Sequence, residues 1–269
     1  MWVQMFAWLY FFRVSICLFF LAVASFFDFR SREVPDWVWF LFAPIGLALT
    51  LSLLALNGWH MNTVVSWIIV LVIVSGLSIA LFYLGFFGGA DAKALICLAI
   101  AMPDKPNLPT GLALKSPIWW LHMPTPISAF NNSVLMASLL TLAFITKNIT
   151  DLIRGEEIFK GLEEESFPKK ILAFITGYRV NVEKLCSKRH HYLLIEDFNK
   201  CSDGSIRRRL KLLKLINSHE DKGEEAPDGV HGKVWVTPGL PFLVFITVGF
   251  TIAVFIGDII LWIISLALT

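Results

Sequence analysis

Five stretches of this chain, Ala7–Phe27, Trp37–Leu56, Val64–Phe87, Ile127–Ile145 and Gly239–Ile264, are apolar almost throughout. An α-helix of about 20 residues crosses the roughly 30 Å hydrocarbon core of a bilayer. Hydrocarbon offers the backbone no hydrogen-bond partner, so each stretch must close its own bonds as a helix. Only 16% of the 269 residues are charged, against about 25% in soluble domains. The segment Met1–Phe27 is too long and too aromatic for a cleaved signal peptide and reads as a retained helix. A sixth apolar stretch, Ala92–Met102, is too short to cross by itself, and Pro103 and Pro106 stop it. It counts as a helix because the distribution of charge requires one there.

Lysine and arginine set orientation in the membrane. The segment Lys147–Val236 carries 17 of the 23 Lys and Arg residues. Arg30 and Arg32 follow the first stretch, Lys93 follows the third, and Asn57–Thr63 has neither residue type. Six helices with both termini outside place all these groups in the cytoplasm. Arg13 lies inside the first stretch and is expected to snorkel outward. Trp37, Trp39, Trp59, Trp119, Trp120 and Trp235 sit near span ends, as interfacial belts do; filling helix surfaces is the alternative.

The expected fold is therefore an all-α polytopic membrane protein of about six transmembrane helices, with a small soluble α+β cytoplasmic insertion before the last helix. Residues 1–146 form the membrane part with helices one to five, 147–236 the soluble domain, and 237–269 the last helix. Within the insertion, "YRVNVEKL", "HYLLIEDF" and "GKVWVTP" alternate like short strands. "SIRRRLKLLKLI" reads as a basic amphipathic helix that lies on anionic lipid or packs on the strands. "EDKGEEAPDGVHG" reads as a mobile loop. The insertion's 17 bases face 15 acids, so no nucleic-acid surface is expected. The four cysteines form no CxxC pair, and His190-His191 with Cys186 and Cys201 fit no metal-site spacing. No metal or cofactor is expected.

Ionisable groups at membrane depth are candidates for function, because burying them is costly. Asp28, Asp91 and Asp258 qualify. Asp28 closes the first stretch in "ASFFDFRSREVPDWVW", and Pro35 restarts a helix at its first turn. Asp91 follows Gly88-Gly89-Ala90 and opens the short helix. In the six-helix topology both lie at the cytoplasmic side, where two carboxylates from separate helices can meet in a water-accessible notch. Capping of a helix start is the alternative for Asp91 alone. Asp258, 19 residues beyond Gly239, reads as a structural or capping residue near the outer face.

The motif "DFRSREVPDWVW", followed after a helix pair by "GGADAK", resembles the archaeal preflagellin and prepilin peptidases. "VWVTPGLPF" and the downstream "IGD" are similar to the same group. The resemblance covers most of the chain and implies an intramembrane-type aspartyl endopeptidase of the GxGD class. It implies that Asp28 and Asp91 are catalytic and that Gly88, Gly89 and Ala90 shape the site. Ala90 departs from the pattern, standing where the second motif glycine is found. The implied partners are preflagellin or prepilin precursors, from which short basic leaders are removed, and membrane lipid. The implied location is the cell membrane, multi-pass, with the active site on the cytoplasmic side. Bacterial relatives carry CxxC pairs and a methyl-transfer activity; this chain has no such pairs, so no methyltransferase is expected. Glu33 and Asp36 are placed to attract a basic leader, or to pair with Arg30 or Arg32. Helix ends further predict Asp91, at a positive N-terminus, as base and Asp28, at a C-terminus, as acid. A small proton-coupled transporter using Asp28, Asp91 and Asp258 is the other reading of the same carboxylates.

Overall fold

The computed structural model describes residues 2–105, 123–187, 192–200, 206–211, 232–239 and 241–268. Trp119, Trp120, His190, His191, Cys201 and the expected loop at 220–231 lie outside them. The chain forms two compact units, Met1–Ala137 with Pro241–Thr269, and Ser138–Leu240.

In the first unit, α1 (Trp2–Ser31), α2 (Trp37–Leu56) and α3 (Met61–Tyr83) are each long and apolar enough to cross a membrane, and so is α5 (Thr125–Ile153), of which the part up to Ala137 belongs to this unit. A fifth candidate span is the pair α8 (Phe242–Phe255) and α9 (Ile259–Leu268), bent by 55°. The protein is thus a multi-pass membrane protein. The sequence pattern predicts one helix through this last stretch; the structure breaks it, because Gly257 has φ +120, a backbone conformation that glycine alone adopts readily. Asn132 of α5 fills the break. Its Nδ2 donates to the Gly257 carbonyl at 2.9 Å and its Oδ1 accepts from Ile259 N at 3.0 Å. Asp258 caps α9 through Leu261 N at 3.0 Å and accepts from Asn131 Nδ2 at 2.8 Å.

The short helix α4 (Gly89–Ala101) is the most enclosed element of the unit. It packs on α1, α2, α3 and α8, and eight of its residues, Asp91 among them, are buried. Alanines along it permit that closeness: a Cβ added to Gly46 of α2 would lie 2.5 Å from Ala101 Cβ. A helix that stops inside a bundle leaves carbonyls in need of donors. Arg13 supplies them. Its Nε and Nη2 donate to the Ala101 carbonyl at 3.0 and 2.7 Å, while Thr50 Oγ1 donates to Ile100 O at 2.7 Å. Arg13 is fully buried, so the expected snorkelling does not occur; the C-terminal end of α4 draws the cation inward.

The second unit carries α6 (Phe167–Thr176), α7 (Val182–Ser187) and two antiparallel sheets. β1 (Tyr178–Asn181) and β2 (Tyr192–Leu194) flank β5 (Lys233–Pro238), and β3 (Glu196–Lys200) pairs with β4 (Ile206–Leu210). β4 occupies part of the segment read as an amphipathic helix. Its alternation puts Arg208 and buried Leu210 on one face, and pairing with β3 outweighs local helix preference. Trp235 is likewise no belt residue. It is fully buried, stacks on Phe159 at 5.2 Å and donates its indole N–H to Ile158 O at 3.0 Å.

Candidate active site

The two motif aspartates come from separate helices of the first unit. Asp28 lies one turn before the end of α1. The helix closes with Arg32 N donating to Asp28 O at 3.1 Å. Arg32 itself has φ +61, a left-handed conformation that non-glycine residues hold at a cost of about 1 kcal/mol. The turn through Val34 and Pro35 then starts α2.

Asp91 is the third residue of α4. Its Oδ2 accepts the Gly88 amide at 3.0 Å, which satisfies one orphan N–H of the helix start. Gly88 has an ordinary extended conformation, so its value is room rather than flexibility. A Cβ there would stand 3.2 Å from Asp91 Oδ2. Ala90 lies inside α4 and has no positive φ; its methyl is therefore tolerated without strain. A Cβ at Gly89 would make only ordinary contact with Phe82 at 3.7 Å. Gly88→Val should displace the Asp91 carboxylate and slow turnover about tenfold or more, since ångström-scale misplacement is costly in catalysis. Single-turnover kinetics checks this, and an unchanged rate would show that Gly88 does not shape the site.

The fold brings Asp28 and Asp91 within electrostatic reach of one another. Asp91 is 9% exposed and Asp28 half-buried. Arg32 interacts with both carboxylates; burial lowers its guanidinium from the usual range, and the two acids raise it. The backbone amide of Leu243, in the first turn of α8, lies close enough to Asp28 to favour its carboxylate. A helix start thus stands near each aspartate, and helix ends alone do not assign acid and base. Phe87, buried before α4, packs on Phe242 at 5.1 Å and on Phe130 at 5.8 Å between ring centroids. Those rings join the start of α8 and α5 to the turn that presents Asp91.

Asp36 does not pair with Arg30 or Arg32. It binds Lys93 Nζ at 2.6 Å, tying the start of α2 to the first turn of α4. Both side chains are well exposed, so the pair contributes at most about 1 kcal/mol. Glu33 is exposed. Asp258, held by Asn131 and by its own helix, has structural partners. Sequence reasoning missed two groups, Arg32 as a neighbour of both acids and the Leu243 amide. Pro241, directly before α8, was the available signal for a helix start.

The model of the Type IV leader peptidase family matches residues 15–145, a span that includes Asp28, Arg32, Gly88 and Asp91. The chain is similar to this family over residues 15–145, just under half of its length. It is a protease. A second model, of the archaeal peptidase A24 C-terminus type II, matches residues 169–259 of the peptidase. The peptidase is 26% identical over 239 residues to the preflagellin peptidase of Methanocaldococcus jannaschii, covering 88% of this chain and 91% of that one. It is 27% identical over 248 residues to the preflagellin peptidase of Methanococcus voltae, covering 91% and 94%.

Proposed function

We propose that this peptidase is an aspartyl endopeptidase that removes short basic leaders from preflagellin or related prepilin-like precursors, with Asp28 and Asp91 activating water. The observation that carries the reading is the convergence of these two carboxylates from α1 and α4, beside Arg32. Two acids in reach of each other do not readily ionise together; they share a proton and titrate as a pair. One takes a proton from water as it attacks the scissile carbonyl, and the other protonates the carbonyl oxygen. The product is a gem-diol, and collapse of its C–N bond with proton transfer to the leaving amine completes hydrolysis. No covalent enzyme intermediate forms. Asp258 is occupied by structural bonds, which leaves the transporter reading without its third carboxylate.

The site and the second unit face the cytoplasm in this proposal, following Arg30, Arg32 and Lys93, and lipid surrounds the spans. Purified protein incubated in detergent with a precursor should yield a shorter product on a gel. A full-length precursor after exposure to folded protein would contradict the proposal.

With Asp36 engaged by Lys93, exposed Glu33 is the acid left to attract the leader. Glu33→Gln should raise KM several-fold for a leader with two or more Lys or Arg and leave kcat near the wild-type value, since a rim charge acts mainly on encounter. Equal KM values for charged and neutralised leaders would remove Glu33 from the binding surface.

A further inference from the structure

A cavity of about 460 Å³ lies at the other end of α4, lined by residues of α1, α2, α3 and the turn after α4. Arg13 is 15 positions before Asp28 on α1, roughly 22 Å along the helix axis, so the cavity is distinct from the aspartate site. Two buried donors in its lining lack hydrogen-bond partners among the described residues. Arg13 uses Nε and Nη2 on Ala101, Thr50 and Asp104, but Nη1 is left over. Trp67 Nε1, on α3, is the second. An unpaired buried donor costs about 1–3 kcal/mol, and a charged one more, so two of them on residues that line one cavity point to an acceptor there.

The chemistry of the walls narrows the ligand. Arg13 and Lys105 stand against Asp104, which leaves one net positive charge among the described lining residues. Asp104 is already engaged by Arg13 at 3.2 Å and by Tyr10 Oη at 2.9 Å. Donors from Arg13, Trp67 and Lys105 suit an anion with several acceptor oxygens. Leu53, Leu54 and Val70 supply an apolar wall, and the helices that carry the cavity are candidate membrane spans. An anion with an apolar tail fits this combination better than a free ion.

We propose that this cavity binds the phosphate headgroup of an anionic phosphoglycerol lipid, with its oxygens on Arg13 Nη1, Trp67 Nε1 and Lys105 and its chains along the apolar wall. Bound there, the lipid satisfies the Arg13 donor left open by the capping of α4 and the Trp67 indole N–H, and braces α1, α2 and α3 around the C-terminal end of α4. The ligand takes no part in peptide hydrolysis.

Native mass spectrometry of the full-length protein, titrated in detergent with phosphatidylglycerol, tests the assignment. Wild-type protein should retain one lipid, and Trp67→Phe should bind it about tenfold more weakly, as expected for one lost hydrogen bond to a charged group. Trp67→Phe keeps the ring and spares the cap of α4, whereas Arg13→Gln also loosens that helix. Lys105→Gln, at the turn after α4, should weaken binding less. Lipid retention unchanged in both Trp67→Phe and Lys105→Gln would overturn the proposal. Inorganic phosphate that competes as well as the lipid, mole for mole, would overturn the lipid part and leave a plain anion site.

Discussion

Asp28→Asn and Asp91→Asn should each reduce precursor processing by about a thousandfold or more. General acid–base catalysis by a single group contributes roughly 10²–10⁴ in rate, and either replacement removes a member of the proposed proton-sharing pair. The amide has the shape of the acid, and its oxygen still accepts the local backbone bonds. At position 91 the new side-chain oxygen can take the Gly88 amide that Asp91 Oδ2 now takes at 3.0 Å. The fold should therefore survive while the chemistry stops. Gel analysis of single-turnover reactions, with helicity and thermal unfolding as controls, reads the result. A folded Asp91→Asn protein that processes precursor at the wild-type rate would remove that residue from the mechanism.

The largest stability effect is expected in the second unit, at Glu196. Its side chain is fully buried. It accepts from Arg208 Nε and Nη2 at 2.7 Å each and from Trp235 N at 2.6 Å. Burial holds its carboxyl above the usual range, and Arg208 with the Trp235 amide offsets this only in part. Glu196→Ala leaves a half-enclosed guanidinium and a buried N–H facing a void, and breaking a buried pair from one side costs about 3–5 kcal/mol. Glu196→Gln, which keeps the shape and one acceptor, should cost less. Hydrogen exchange at β3, β4 and β5 of the full-length protein should show protection falling by at least about a hundredfold in Glu196→Ala, the ratio that about 3 kcal/mol implies. Unchanged protection would mean that the pair contributes nothing net.

Asp28 and Asp91 stand out as candidates in the sequence because a carboxylate beside long apolar stretches has no inexpensive explanation. The helices α1, α2, α3 and α5 were readable for a related reason: twenty or so apolar residues have few other fates. What escaped depends on three-dimensional partners. Arg13 looked like a cation seeking water, because the exposed carbonyls at the end of α4 belong to a segment 88 positions away. The bend before α9 rests on one positive φ at Gly257, and a glycine in an apolar run does not announce its dihedral. Arg207, Arg208 and Arg209 suited a basic helix as well as a strand, and only the pairing with β3 and the buried Glu196 decides between them. Arg32 was marked as an orientation signal, and its left-handed turn beside both acids is a property of the folded chain.

In the proposed mechanism Asp28 and Asp91 act as one catalytic unit. A double-replacement cycle addresses it most directly: single-turnover processing rates, at high enzyme concentration, for wild type, Asp28→Asn, Asp91→Asn and the protein carrying both. Groups that work as a unit give strongly non-additive losses. The double variant should process precursor within a few-fold of the slower single variant. Losses that multiply, or a single variant that keeps wild-type speed, would show that the two carboxylates work separately.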